Sequence, residues 1–409
     1  MPKLLTLDDV DPQGKTVIVR VDFNSPIDPK TKNVLDDTRI KRHAETTIKE
    51  LIQKGAKVGI LAHQGRRGEP DFTTLKQHAE ILSKILEIPV KYVNDVFGPK
   101  AQEALKGLKS GEVLVLENVR TYAYERTKGT PEKHAKSEMV EKLAPLADLF
   151  VNDAFAAAHR AHVSIVGFTS VLPSFAGRIM EKELKSLSLV LENPKKPCIF
   201  ILGGAKADDA LEISRYVLEN KIADYVLTGG VAGHVFLTAK DIDLGEANMS
   251  FLKRKDLIRF IPGIKNLLKS YPDQILVPFD LALEIDGKRK EIPIQKLPTN
   301  YPIFDVGSET VKIYSEIIRK ANSIVLSGPL GVYEKEEFIF GTKSIFQEVA
   351  NSPRFSLAGG GHTVAALQEL GISSKISYIS TAGGALIDFL MGKELPGIVS
   401  LEKAVTKKL

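Results

Sequence analysis

The sequence predicts an α/β protein built as two domains, each a parallel sheet flanked by helices. Three observations carry that reading. At 409 residues the chain exceeds what one hydrophobic core organises, so two domains of roughly 200 residues each are expected. Short runs rich in Val, Ile and Leu alternate with longer amphipathic runs along the whole chain, the pattern of strands covered on both faces by crossover helices. Each strand-like run gives way to a polar or glycine-rich segment, as at the carboxyl edge of a doubly wound sheet.

In the first half the strands fall at KTVIVRVDF, KVGILAH, VKYV, EVLVLEN and DLFVNDAF, with helices such as Arg39–Lys54 and Thr74–Leu86 between them. In the second half they fall at PCIFILGG, DYVLTGG, QILVPFD, SIVLSGP, FSLAGGG and ISYISTAGG. Between the halves, 174–193 reads as a linking helix that opens after Pro173 and stops before Pro194. Its Phe175, Ile179, Leu184, Leu187 and Leu191 share one face. No fixed-period repeat or low-complexity tether interrupts the chain.

Composition narrows the function. Hydrophobic residues at 43% and charged residues at 26% are ordinary globular values. Lys and Arg number 56 against 51 acidic residues, and a net charge of +5 is too even for a dedicated nucleic-acid binder. No run approaches the roughly 18 apolar residues of a membrane span, and MPKLLTLDDV has no signal-peptide pattern, so a cytoplasmic protein is expected. Cys198 is the single cysteine and its KPCIFIL neighbours are apolar, which makes it a buried thiol rather than a nucleophile.

The strand ends of the first half are cationic. They bring Asp22 and Asn24, then His63 and Arg66, then Arg120, then Asp153, His159 and Arg160, while Arg39 opens a following helix. Any one of these arginines would pass as a surface charge. Several converging on one sheet edge imply a small ligand with several negative charges, since the guanidinium fork pairs bidentately with phosphate and carboxylate oxygens. Asp22 and Asn24 would then take hydroxyls. His159 and His162 have zinc-like spacing but no third ligand nearby in sequence, which favours a structural or anion-binding role.

The second half ends its strands in glycine, at 203–206 (GGAK), 229–233, 328–331, 359–363 and 382–384. Glycines between strand and helix let backbone amides approach phosphates, and Lys206 adds a mobile cation. The Walker pattern is absent, because the GKT at 14–16 has Asp9 where the first glycine belongs, and no GxGxxG opens a helix. HRD and DFG triplets are missing too, which excludes a protein kinase. These residues alone leave a nucleotide-dependent phosphotransferase beside a two-domain binding protein that closes on an anion, with a dinucleotide-linked dehydrogenase disfavoured.

The run VIVRVDFNSP at 17–26 resembles the signature of the phosphoglycerate kinase family. DDTRI, HQGR, LENVR, DAFAAAHRAH, ILGGAK, GPLGVYE, GGGHTVAAL and STAGGALIDFLMGKELPG follow in that family's order to about residue 397. The resemblance implies two Rossmann-like domains joined by a linking helix with a hinge. Residues 1–172 would bind 3-phosphoglycerate, with the tail 397–409 folding back onto them, and 173–396 would bind the nucleotide.

It further implies reversible phosphoryl transfer between 1,3-bisphosphoglycerate and ADP, giving 3-phosphoglycerate and ATP, by direct in-line transfer after domain closure. The substrate would meet Asp22, Phe23, Asn24, Arg39, His63, Gln64, Gly65, Arg66, Arg120 and Arg160. The nucleotide would meet Lys206, Glu334, Gly360, Gly361, His362, Thr363 and Gly383, with Arg39, Lys206, Gly361 and Gly384 at the transferring group. Mg²⁺ would accompany the nucleotide, and the enzyme would act as a monomer or homodimer without nucleic acid or membrane. Three positions depart from the family pattern: Ala210 stands for a second lysine, Ser327 for an asparagine, and His362 for the aspartate linked to the metal. Asp208 and Asp209 are the nearest replacement candidates for Mg²⁺.

Overall fold

A computed structural model describes residues 3–406. The chain forms two compact units. One takes the residues up to Lys185 together with those from Glu394 onward, and the other takes Ser186–Lys393.

The first unit is built on a six-stranded parallel sheet of β1 (Thr16–Arg20), β2 (Lys57–Leu61), β3 (Val90–Val93), β4 (Val113–Leu116), β5 (Leu149–Asn152) and β6 (Ser174–Ala176). Their order is β3-β4-β2-β1-β5-β6. Every residue of β1 is buried, as expected of a central strand covered on both faces. Alternation sorts its side chains: Val17 and Val19 join a core with Ile40, Ala44 and Ile48 of the helical run 38–53, while Ile18 joins another with Leu105, Leu116 and Phe150. That helical run widens into a π turn at Ala44–Ile48.

The linking segment differs from expectation. Residues 174–176 are a strand paired with β5, and the helix runs only over Arg178–Leu191. The apolar face was legible, but the pairing of Ser174–Ala176 with β5 outweighs the helical period there. The division between units also falls inside this helix, after Lys185, rather than at 172. The helix Pro396–Thr406 belongs to the first unit, where Gly397 N–H donates to the Ala158 carbonyl at 2.8 Å. Residues 407–409 of the expected tail lie outside the described residues.

The second unit has its own six-stranded parallel sheet: β7 (Cys198–Leu202), β8 (Tyr225–Thr228), β9 (Ile275–Leu276), β13 (Ser323–Ser327), β14 (Phe355–Gly359) and β15 (Tyr378–Ser380). Their order is β15-β14-β13-β7-β8-β9. Cys198 is fully buried in β7, and burial pushes its thiol up to about 12, which makes it inert. The unit also carries an antiparallel sheet absent from the sequence reading, in which β10 (Asp280–Ile285) lies between β11 (Lys288–Pro293) and β12 (Ile303–Val306). Its signal was present, since Asp286-Gly287 joins two alternating runs and both residues have positive φ, +50° and +76°, the type I′ hairpin conformation.

Candidate active site

In the first unit the expected residues gather where the sheet's strands end. The loop after β1 holds Asp22 buried and Asn24 half-buried. The Asp22 carboxylate pairs with the Arg39 guanidinium, and the Asn24 side-chain oxygen accepts the Gly65 N–H at 2.8 Å. Arg120, buried, donates to the Gly65 carbonyl. Gly65 itself has φ of +64°, and a Cβ there would run into the backbone of Asp71, so no other residue fits this turn. Arg66 is exposed beyond it, and half-buried Arg160 donates through Nε to His159 Nε2 at 3.1 Å.

Two of the expected substrate residues have side chains that support the loops they belong to. The Phe23 side chain is fully buried and its ring packs with those of His43 and His78. Gln64 is equally buried, and its amide is committed on both sides. Its oxygen accepts from Ser25 N–H and His78, at 2.8 and 3.0 Å, and its nitrogen donates to the carbonyls of Ser25 and Asp71. Both side chains are committed within the fold and anchor their loops from beneath.

The sequence reading missed Arg20 and Arg126. Arg20 ends β1 at 1% exposure, donating through Nε to Ser164 Oγ at 2.8 Å and through its guanidinium to the Val21 carbonyl and to His63 Nδ1 at 3.1 Å. Its signal was a cation inside an otherwise apolar strand, which a fold tolerates only with committed partners. Arg126 lies in a short 3-10 turn with no strand-end signal.

These cations act on one another. Burial, then Arg20, Arg120, Arg160 and Arg39, hold the His63 imidazole well below its usual range. Burial, then Arg160, Arg20, Arg120 and Arg126, bring His162 down to about 3. Burial and the neighbouring guanidiniums lower Arg120 to about 10 and pull Arg160 down as well, with Arg66 its strongest charged neighbour. The opposing carboxylates are Asp22 and the buried Glu125, which Ser164 binds through N–H and Oγ. A basin in which cations suppress each other's protonation is a basin that favours a multiply charged anion.

In the second unit the glycine loops meet at the carboxyl edge of the sheet and are laced by backbone bonds. Gly203 N–H reaches Ser327 O at 2.8 Å, Gly204 N–H reaches Pro329 O at 2.7 Å, and Gly230 N–H reaches Leu330 O at 2.8 Å. Thr363, expected to meet the nucleotide, is 1% exposed, and its hydroxyl accepts the Gly328 N–H at 2.7 Å, so it ties two loops together. Gly360 and Gly383 precede the helices Gly361–Glu369 and Gly384–Leu390. A Cβ on Gly361 or Gly383 would meet nothing within 4 Å, so open space lies in front of both. Lys206, at 77% side-chain exposure, stands at the start of the helix Ala207–Glu219 with its Nζ 3.6 Å from Asp209 Oδ2.

His362 and Glu334 are neighbours, with Nδ1 3.9 Å from Oε1 and both side chains exposed. His362 makes no helix cap, and its ring stands edge-on to Tyr333. Ala210 is buried, so nothing at that position replaces the family's second lysine.

Among the described residues no three His, Cys, Asp or Glu side chains converge, so there is no closed metal cage. Mg²⁺ needs none, because it commonly keeps phosphate and water ligands beside one or two carboxylates. Asp209 fits that demand. Burial raises its carboxyl, the adjacent Asp208 adds to the rise, and the only nearby compensation described is Lys206 at 3.6 Å and the more distant charge of Lys393.

A family model described as phosphoglycerate kinase matches residues 7–393. The phosphoglycerate kinase of Methanothermus fervidus is 48% identical over 404 residues, covering 99% of this chain and 98% of that protein. That of Methanobacterium bryantii is 49% identical over 402 residues, covering 98% of each. The crystal structure of phosphoglycerate kinase from Pyrococcus horikoshii superimposes with a TM-score of 0.90 at 41% identity, covering 99% of this chain and 100% of that one.

Proposed function

The chain belongs to the phosphoglycerate kinase family, and from that premise we propose how its residues carry the family's reaction. It is a phosphotransferase that moves a phosphoryl group between 1,3-bisphosphoglycerate and ADP, giving 3-phosphoglycerate and ATP. We assign the glycerate to the cationic basin of the first unit and the nucleotide to the glycine loops of the second. The observation that carries the assignment is the gathering of buried His63 and Arg120 with half-buried Arg160 at the strand ends of the first sheet, where burial and then the neighbouring guanidiniums disfavour their charged forms and an anion would favour them.

In this reading Arg66, Arg120, Arg160 and His63 hold the substrate's phosphate and carboxylate, while Asp22 and Asn24 orient its hydroxyl. Lys206 and the amides of Gly361 and Gly384 face the nucleotide phosphates, and Glu334 takes the ribose. Mg²⁺, held by nucleotide oxygens, water and Asp209, would neutralise phosphate charge. Transfer passes in line through a loose transition state, so the protein has no covalent step to perform. Its residues align donor and acceptor and stabilise the equatorial oxygens, with Arg39 from one unit and Lys206 from the other. Because donor and acceptor are assigned to separate units, turnover requires a closing movement about the linking helix. We place the enzyme in the cytoplasm, where reducing conditions suit its lone buried thiol.

The test is ADP release from a mixture of ATP, Mg²⁺ and 3-phosphoglycerate. Arg39→Ala should lower kcat by about 10³- to 10⁵-fold, the worth of an arginine on a transferring phosphoryl group. Turnover near wild type in that variant would remove Arg39 from the mechanism, and no 3-phosphoglycerate-dependent release in the wild-type protein would remove the function.

A further inference from the structure

Arg39 and His43 stand one helical turn apart in the run 38–53, on the same face. His43 is 4% exposed and is not among the residues assigned to either ligand. Its Nε2 accepts the Asp22 backbone N–H at 3.2 Å, and its Nδ1 lies 2.6 Å from Asp153 Oδ2. A ring nitrogen that accepts an amide N–H is bare, so the proton sits on Nδ1 and is donated to Asp153. Asp153, fully buried, uses its other oxygen on the N–H groups of Ile179 and Met180, at 2.8 and 3.2 Å, where the linking helix begins. At the far end, the Asp22 carboxylate pairs with Arg39. The result is one continuous line: Arg39, Asp22, His43, Asp153, helix start.

We propose that His43 is a positioning residue for phosphoryl transfer, holding the Asp22–Arg39 pair in register with the start of the linking helix through Asp153. The proposal rests on the assignment of Arg39 made above. Burying an imidazole against a carboxylate costs desolvation that an apolar side chain packed on Phe23 would avoid. Packing alone therefore does not account for it. The helix start also has a tie that does not pass through His43, since Arg178 N–H donates to Thr47 Oγ1 at 2.8 Å. Loss of His43 consequently loosens Asp22 without releasing the helix.

The two ring nitrogens can be separated by substitution. His43→Asn keeps an amide donor near the place of Nδ1 and loses the acceptor for Asp22. His43→Gln keeps an acceptor near the place of Nε2 and loses the donor to Asp153. With Arg39 misplaced, kcat should fall about 10- to 100-fold in the asparagine variant, because sub-ångström errors in aligning a reacting group reach that size. Its KM for ATP should stay within about twofold. The glutamine variant should hold kcat within about threefold while losing more thermal stability, since it leaves a buried carboxylate oxygen short of a donor. A merely structural histidine gives the reverse, with activity following stability. In Arg39→Ala, adding His43→Asn should cost nothing further in kcat, and this double-mutant comparison does not depend on either variant's absolute stability. Wild-type kcat in His43→Asn, or full additivity with Arg39→Ala, overturns the proposal. Normal turnover in Arg39→Ala alone instead overturns the assignment beneath it.

Discussion

Arg160→Ala should separate substrate binding from stability. Arg160 is half-buried, and burial, then Arg66 and Arg126, all depress its guanidinium. It is charged at neutral pH whether the chain is folded or not, so a lowered folded pKa means that its charge opposes folding. It also presses on His162 as the largest charged cause of that ring's depression. Removing it relieves both repulsions at the cost of one bond to His159 and of its attraction to the Asp22 carboxylate. The melting temperature should therefore stay at or above the wild-type value. Binding should move the other way. A charge-assisted bond to a phosphate or carboxylate oxygen contributes about 1.5–3 kcal/mol, equivalent to about 10- to 150-fold in affinity. Initial rates with varied 3-phosphoglycerate at saturating Mg-ATP, beside thermal unfolding, measure the two effects. A parallel rise in the KM for ATP, or a Tm loss of several degrees with unchanged KM for 3-phosphoglycerate, would refute the reasoning.

Acid should destabilise the first unit more than the second. Burial holds His78 and His234 at about 4, and burial with nearby arginines holds His162 at about 3. A histidine so depressed gains its proton on unfolding, so its stabilisation is complete above about pH 6.5 and is lost as pH falls toward the folded value. At pH 5 each should have lost about 2 kcal/mol, which urea unfolding at pH 7 and 5 would show, and His162→Gln should recover about that much. Equal pH dependence in wild type and variant would count against it. For the metal, Asp209→Ala should raise the Mg²⁺ concentration needed for half-maximal rate, whereas His362→Ala, exposed and beside Glu334, should leave it unchanged. A rightward shift in the histidine variant alone would reverse that assignment.

Much of the architecture was readable without coordinates because each element announces itself over a few residues. An unbroken run such as TVIVR is intelligible only as a strand covered on both faces, and glycines after strands are intelligible only where backbone must approach something closely. Composition argued against a membrane-spanning helix and a dedicated nucleic-acid binder, and motif order implied the family. What local pattern left undecided depended on contacts distant in sequence. Ser174–Ala176 looks helical until β5 pairs with it. Phe23, Gln64 and Thr363 sit inside recognisable site motifs, yet they face inward, because the loops they belong to are held from below by His78, Asp71 and Gly328. Arg20, hidden in a strand, becomes part of the basin only when Ser164, from 144 residues further along, meets its guanidinium. The line from Arg39 to the linking helix spans Asp22, His43, Asp153 and Ile179. Sequence determined which residue types were on hand and which strands carried them, since those follow from short-range periodicity and spacing. Which side chains face a ligand and which hold the loops in place was decided by tertiary structure, because that choice depends on burial and on hydrogen-bond partners that only folding brings together.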